Sequence, residues 1–259
     1  MLFVIDVGNT HTVLGVFAEE KLTHYWRIKT DRYKTEDELS VLVRALFDQG
    51  DISFSDVQGI AISSVVPPIN QVLNKMSEKY FGITPLIIGR DNIQSFIDIT
   101  YPKPKEIGAD RIVNAVGALE QYEDKLPFII IDFGTATTFC YVNEQKQYVG
   151  GIISPGVNIS LEALYNKASK LPRVEIQPPN EIVGQSTVEA MQSGVYYGYL
   201  EQVDGMIRRI EKELNIEPYV IATGGMAPLI VKESKKVSVI DDHLTLRGLW
   251  SIYYHSNKK

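Results

Sequence analysis

Strand-like apolar runs occur in two matching sets of three, one set near the N-terminus and one in the middle of the chain. The runs are residues 2–5, 11–17 and 25–28, and then 128–131, 137–142 and 148–153. In each set, the first run ends in an aspartate and a glycine turn, after which the chain re-enters a strand-like segment. The pattern therefore predicts that the two halves of the chain are built alike.

Helical periodicity follows each set of strands. Thr35 to Glu38 matches a capping box, and the apolar residues that follow, up to Phe47, fall on one helical face. The other predicted helices cover residues 67–80, 110–122, 187–214 and 246–254, with one more that begins at residue 158 and two that flank residues 237–240. The other predicted strands cover residues 57–66, 85–88 and 219–222. Residues 91–106 are expected to be irregular, because Pro102 and Pro104 oppose an ordinary helix.

This alternation of strands and helices is typical of an α/β protein. Because each half begins with antiparallel-looking strands, we predict mixed sheets flanked by helices. The predicted domains are residues 1–115 and 116–259, with a cleft between them. Periodicity leaves open whether the helix at 246–254 packs back on the first domain.

Composition narrows the class of protein. With 44% apolar and 22% charged residues among 259, and no apolar run near the ~20 residues that span a bilayer, we expect a globular protein without a membrane role. The N-terminus lacks the pattern of a secretory signal, which favours action in the cytoplasm. A net charge of −6 disfavours general nucleic-acid binding. The four histidines lack a zinc-ligand spacing, and the single cysteine, Cys140, is expected to pack in the core.

Two polar turns carry the candidate chemistry. Asp6-Val7-Gly8-Asn9-Thr10 follows the first strand, and Asp132-Phe133-Gly134-Thr135-Ala136-Thr137-Thr138 follows its counterpart. Glycine lets the backbone approach a bulky anion, N–H groups and threonine hydroxyls donate to phosphate oxygens, and aspartate holds a cation against them. The P-loop and Rossmann motifs are absent. We therefore predict a nucleotide held from both sides of the cleft, with the Gly224-Gly225 loop against its adenine or ribose.

The arrangement resembles the superfamily of acetate and sugar kinases, heat-shock chaperone ATPases and actin, in which two ribonuclease-H-like domains clamp ATP. A more specific resemblance rests on the two turns, Tyr101-Pro-Lys-Pro-Lys-Glu-Ile-Gly-Ala-Asp-Arg111, Gly150-Gly151-Ile-Ile-Ser-Pro-Gly156 and Gly224-Gly225. In combination, and over nearly the whole chain, these motifs resemble the type III pantothenate kinases. Two positions depart from the family pattern, because His11 and Lys103 each stand where asparagine is common.

The resemblance implies an ATP-dependent kinase that phosphorylates pantothenate to 4′-phosphopantothenate, the first step toward coenzyme A, and that forms a homodimer. Asp110 would be the general base toward the pantothenate hydroxyl, Asp6 would face the magnesium-bound phosphates, and Asp132 would hold a monovalent cation, potassium or ammonium. The implied ATP contacts are Asp6, Val7, Gly8, Asn9, Thr10, His11, Thr12, Val13 and Thr135. The implied pantothenate contacts are Tyr101, Gly108, Ala109, Asp110, Arg111 and Thr187.

Several of these residues have simpler explanations. Asp110 at a helix start equally fits an N-cap, and Arg111 fits a surface ion pair. Thr187 lies in the stretch 186–189, which matches a capping box. The aromatic helix that contains Tyr196, Tyr197 and Tyr199 fits core packing as well as a dimer interface.

Two other functions fit the same residues. The fold could serve a regulatory or accessory nucleotide-binding factor, since some relatives were described as helpers of transcription factors, or a kinase that acts on another hydroxylated acid. The combination of Asp6, Asp110, Arg111 and Asp132 favours catalysis, because a pure binder needs none of them together.

Overall fold

The structure is a computed structural model that describes residues 1–89 and 92–256. The chain forms two compact units. The first contains Met1–Gln121 and the segment that begins at His243, and the second is Tyr122–Asp242. The predicted irregular region begins at residue 91, which lies outside the described residues. Within the described ranges, no helix combines the length and the apolar character needed to cross a membrane.

The first unit is built on a mixed sheet in the order β3-β2-β1-β4-β5. Its strands are β1 (Leu2–Val7), β2 (His11–Ala18), β3 (Lys21–Lys29), β4 (Gly59–Ser64) and β5 (Leu86–Ile88). The short β6 (Asp98–Ile99) follows in the chain but is not a strand of this sheet. Its helices are α1 (Glu36–Gln49), α2 (Pro67–Met76), α3 (Ala109–Tyr122) and α7 (Leu244–Ser256). β2 runs antiparallel to β1 and β3, whereas β4 is parallel to β1 and β5.

Helices cover both faces of this sheet. Phe3 and Ile5 are fully buried in a core that includes α1 and α2, and α1 begins with the predicted capping box. On the other face, α7 packs so closely that a Cβ on Gly59 would lie 2.0 Å from the Tyr253 hydroxyl oxygen. The alternation of side chains along β1 therefore supplies two apolar faces.

The second unit has the same strand order as the first, because β9-β8-β7-β10-β11 corresponds to β3-β2-β1-β4-β5. Its strands are β7 (Phe128–Phe133), β8 (Ala136–Val142), β9 (Gln147–Pro155), β10 (Tyr219–Thr223) and β11 (Val239–Ile240), and its helices are α4 (Val157–Lys167), α5 (Thr187–Leu214) and α6 (Ala227–Ile230). β8 is antiparallel to β7 and β9, and β10 is parallel to β7 and β11. Cys140 is buried, as predicted.

The two mixed sheets with their helices confirm the predicted α/β class. The boundary between the two units lies between residues 121 and 122, whereas the predicted boundary lies between residues 115 and 116. The first unit extends to Gln121 because α3 is one continuous helix that packs on α7, and a Cβ on Gly117 would lie 2.5 Å from Leu244 O. α7 itself belongs to the first unit because it packs on β1, β2 and β4. The predicted cleft between the domains stays a prediction.

Candidate active site

A threonine outside the predicted motif holds the first turn. The Gly8 N–H donates to His11 O (3.0 Å), and the Thr30 hydroxyl donates to Gly8 O (2.8 Å). The Thr30 N–H donates to Thr10 O (3.0 Å), and the Thr30 hydroxyl lies 2.9 Å from that of Thr12. This network shapes the turn without any ligand. No motif indicates Thr30, because its position depends on the pairing of β2 with β3.

The predicted ATP contacts in this turn differ in what they can offer a ligand. Val7 and Thr12 are buried and pair with each other across β1 and β2. The side chains of Asn9, Thr10 and His11 are exposed. The half-buried members of the set are Asp6, Gly8 and Val13.

Asp6 lies at the carboxyl end of β1, in a row of residues that crosses the sheet. Its register partners are Val13 on β2 and Ser63 on β4, and Val13 in turn pairs with Arg27 on β3. Paired residues on neighbouring strands project from the same face of a sheet. Ile5, the residue before Asp6 in β1, belongs to the core formed with α1 and α2. Because successive side chains of a strand project from opposite faces, Asp6 and its partners project from the other face of the sheet.

Asp110 occupies the first turn of α3, where its carboxyl lies deep although the residue keeps some exposed surface. The Arg111 N–H donates to Asp110 Oδ1 (2.9 Å). A Cβ on Gly108 would lie 2.4 Å from the same oxygen, so the carboxylate fills space that glycine leaves free. Burial raises the pKa of the Asp110 carboxyl, although the Arg111 N–H and guanidinium act in the opposite direction. A raised pKa makes a carboxylate a stronger proton acceptor.

The helix that carries this carboxylate packs closely against α7, where a Cβ on Gly117 would lie 2.5 Å from Leu244 O. Near the start of both helices, Thr245 Oγ1 donates to Asn114 Oδ1 (2.6 Å). Further along both helices, Ser251 Oγ donates to Glu120 Oε2 (2.7 Å). The start of α7 lies at one end of the sheet of the first unit.

That end is also the carboxyl end of β1. Leu246, in the first turn of α7, packs against Gly15, which pairs with Val4, two residues before Asp6. Tyr253, near the end of α7, packs against Gly59, the first residue of β4. α7 therefore packs on the face of the sheet from which Asp6 projects, with its start toward the row of Asp6. The proximity of Asp6 to the predicted catalytic residue Asp110 stays a prediction.

Positive charge lines the edge of the first turn. His11 pairs in register with Lys29, and both Lys29 and Arg27 are exposed. Burial, and then the charge of Arg27, lower the pKa of His11, which favours a neutral ring near pH 7. Arg32 Nη2 donates to Asn9 Oδ1 (3.1 Å). These cations favour an anion at the turn.

In the second unit, the turn after β7 is packed against the start of α4. The Gly134 N–H donates to Ala136 O (3.1 Å), and the Gly156 N–H donates to Thr135 O (3.1 Å). A Cβ on Gly156 would lie 2.3 Å from Thr135 O, so the approach of the two segments requires glycine.

The Gly224 loop meets the same turn from the β10 side. Thr223 pairs in register with Asp132, and Gly224 follows with a φ of 91°. A Cβ on Gly224 would lie 2.6 Å from Asp132 Oδ1. The second unit thus brings together the second turn, the start of α4 and the predicted adenosine loop.

Two tyrosines of the aromatic helix α5 form hydrogen bonds within the second unit. Tyr196 is fully buried, and burial together with its hydrogen bond to Glu233 (2.9 Å) raises its pKa to about 12. The Tyr199 hydroxyl lies 3.1 Å from Pro155 O and 3.2 Å from Gly156 O. Tyr199 therefore secures the start of α4 beside the second turn, a role that no sequence motif indicates.

The two remaining predicted pantothenate contacts lie in different units. Tyr101 is half-buried in the first unit, and Thr187 is exposed as the first residue of α5 in the second. Only half of the predicted capping box forms there. The Ser186 hydroxyl accepts from the Glu189 N–H (3.2 Å), but the Glu189 carboxylate accepts from the Gln185 N–H (2.8 Å).

The oxygen donors at both turns fit hard cations. Among the residues that the structure describes, no three or more His, Cys, Asp or Glu side chains cluster as a metal cage. Mg²⁺ in kinases is held by one or two carboxylates together with substrate phosphates, and Asp6 beside the first turn is a ligand of this class. Asp132, in a turn with backbone carbonyls, supplies the same class of ligand.

Comparison with known proteins identifies the family. The family model of type III pantothenate kinases matches residues 2–209. The chain belongs to the type III pantothenate kinase family. A type III pantothenate kinase from Halalkalibacterium halodurans is 56% identical over 253 residues, which cover 98% of each chain. One from Bacillus cytotoxicus is 54% identical over 98% of this chain and 95% of that protein. The resemblance predicted from the motifs is confirmed.

Solved structures share the fold at much lower identity. A Campylobacter jejuni protein described as a conserved member of the Baf family of transcriptional activators aligns with a TM-score of 0.61 and 16% identity, over 99% of this chain and 100% of that one. The activator of the 2-hydroxyisocaproyl-CoA dehydratase from Clostridium difficile, solved with bound ADPNP, aligns with a TM-score of 0.58 and 12% identity, over 99% and 95%. These likenesses confirm the predicted actin-like ATPase fold of this chain.

Proposed function

We propose that this protein transfers the γ-phosphoryl group of ATP to the primary hydroxyl of pantothenate, which yields 4′-phosphopantothenate and ADP, the first step toward coenzyme A. The observation that carries the proposal is full-length similarity to two type III pantothenate kinases at 54% and 56% identity. The enclosed Asp110 at the start of α3 supplies a group suited to this chemistry.

In this proposal, Asp110 orients the pantothenate hydroxyl and takes its proton late in a loose, in-line transition state. Its raised pKa helps, because an alcohol gives up its proton reluctantly. Gly108 leaves room for the carboxylate, and Arg111 presents a guanidinium fork to the carboxylate of pantothenate. Tyr101 and Thr187 are proposed as further pantothenate contacts on the resemblance alone.

The phosphates of ATP would lie against the two turns. Residues 6–13 and Thr135 would contact ATP, and Asp6 would hold the magnesium that accompanies it. Bound magnesium would offset the charge of the transferring group. Asp132 would hold potassium or ammonium beside the triphosphate, where additional positive charge reduces repulsion.

We further propose that the protein works in the cytoplasm as a homodimer. Exposed apolar side chains at and before the start of α5 support an interface in the second unit, since contiguous exposed apolar surface marks contact sites. They are Ile182, Val183 and Val188, which are 67%, 76% and 42% exposed. Light scattering in solution should give twice the mass of one chain.

The experiment is ADP formation from magnesium and ATP, with and without pantothenate, in potassium and in sodium buffer. Wild type should turn over only with pantothenate and faster in potassium, and Asp110→Asn should bind ATP but turn over about 10²–10⁴-fold more slowly. ATP binding with no turnover that depends on pantothenate would favour the regulatory nucleotide-binding alternative.

A further inference from the structure

Ser63 carries an unexplained hydroxyl. The residue is fully buried in β4, and its Oγ has no hydrogen-bond partner among the described residues. A buried hydroxyl without a partner destabilises a folded protein, and such groups are often retained for a function. Alanine would fill the same place in the sheet without this cost.

The position of Ser63 indicates its partner. Ser63 is the direct register neighbour of Asp6 on the parallel strand, and the two side chains project from the same face. Neighbouring strands lie about 5 Å apart, so rotation about the Cα–Cβ bond of the serine brings its hydroxyl within hydrogen-bonding reach of the carboxylate. Its neighbour Ser64 cannot take this role, because the Ser64 hydroxyl is bonded to the Val66 backbone.

The second sheet contains the same arrangement. Thr223 on β10 is the direct register neighbour of Asp132 on the parallel strand β7, and it is 2% exposed. Each of the two phosphate-turn aspartates therefore has a buried hydroxyl residue beside it, at the corresponding place in its sheet. Two occurrences in two sheets argue against an accident of one strand.

We propose that Ser63 is a positioning residue, whose hydroxyl donates to the Asp6 carboxylate and fixes its orientation when ATP and magnesium bind. The inference deepens the proposed function and rests on it for the identity of the ligand. A hydrogen bond from a neutral donor to a carboxylate both restricts its rotation and stabilises its charged form. Asp6 can then meet a cation without losing orientational freedom at that moment.

The test is Ser63→Ala, with Ser77→Ala as the matched control. Ser77 is equally buried in the first unit, but its hydroxyl already donates to Leu73 O (2.8 Å). Calorimetric titration of ATP at a series of magnesium concentrations, without pantothenate, measures the metal-dependent affinity. Thermal unfolding measures stability.

Ser63→Ala should keep or raise Tm, because it removes an unsatisfied hydroxyl, yet weaken magnesium-dependent ATP binding by about tenfold. Ser77→Ala should lower Tm and leave ATP binding unchanged. Unchanged magnesium-dependent affinity in Ser63→Ala would overturn the inference. Because the titration omits pantothenate, it gives its answer even if the wild type proves not to phosphorylate pantothenate.

Discussion

Replacing Gly108 with alanine should disable catalysis while the fold stays nearly intact. The added Cβ would lie 2.4 Å from Asp110 Oδ1, but 3.5 Å from Asp110 Cγ and 3.6 Å from Arg111 Nε. The steric clash is therefore almost entirely with one carboxylate oxygen. Gly108 does not adopt a positive φ, so its backbone accepts alanine without strain. The side chain of Asp110 must therefore rotate away.

The size of the effect follows from this geometry. A carbon and an oxygen need a separation of about 3.3 Å, so Asp110 Oδ1 must move by about 1 Å, and a misplacement of about 1 Å costs about 10²-fold in rate. We expect kcat to fall by that factor, with little change in the KM for ATP. The free energy of unfolding should change by less than about 1 kcal/mol, because alanine restricts the unfolded chain and offsets the local shift.

Steady-state kinetics with both substrates, together with urea unfolding, test this prediction. Gly205→Ala is the control, because its Cβ would meet nothing closer than Arg208 Nη2 at 3.7 Å. That change within α5 should gain about 0.5–1 kcal/mol of stability and keep normal kcat. Normal kcat in Gly108→Ala would refute the placement of Asp110, and so would a loss of kcat explained by unfolding.

Three further changes test the site. Asp110→Asn should lower kcat by about 10²–10⁴-fold. Burial raises the pKa of that carboxyl, so the stability of the wild type falls as pH rises from the ordinary carboxyl pKa through the raised one. In calorimetry, the variant should therefore have a higher Tm than the wild type at pH 7 and the same Tm at acid pH. Gly156→Ala places a Cβ 2.3 Å from Thr135 O, a backbone atom, and should cost about 1–3 kcal/mol in urea unfolding and raise the KM for ATP. Gly224→Ala combines a φ of 91° with a Cβ 2.6 Å from Asp132 Oδ1, and should raise the potassium concentration for half-maximal activity; an unchanged potassium requirement would count against Asp132 as the cation ligand.

Local patterns were sufficient to predict most helices and strands and the position of both aspartate-glycine turns. The capping box at Thr35 and the aspartate-glycine turns are short-range signals, because the residues that form each structure are neighbours in sequence. The register that pairs Asp6 with Val13 follows from the same turn. The catalytic assignment of Asp110 needed the family resemblance as well, because its sequence position alone fits an N-cap equally well.

Contacts between distant segments could not be predicted in this way. Thr30 holds the first turn, and Tyr199 holds the start of α4, through pairings that only the folded sheet and helices create. The packing of α7 on the first unit depends on the space left by Gly15 and Gly59, which periodicity does not reveal. Ser63 is one more case, because its significance appears only once β4 lies beside β1.

The measurement that tests the central claim most directly is identification of the product by mass spectrometry and ³¹P NMR. Wild-type protein incubated with pantothenate, ATP and magnesium in potassium buffer should convert pantothenate to a phosphomonoester at its primary hydroxyl, with one ADP formed for each, and Asp110→Asn should not. ADP accumulation without phosphorylated pantothenate, or phosphorylated pantothenate at the wild-type rate from Asp110→Asn, would contradict the account.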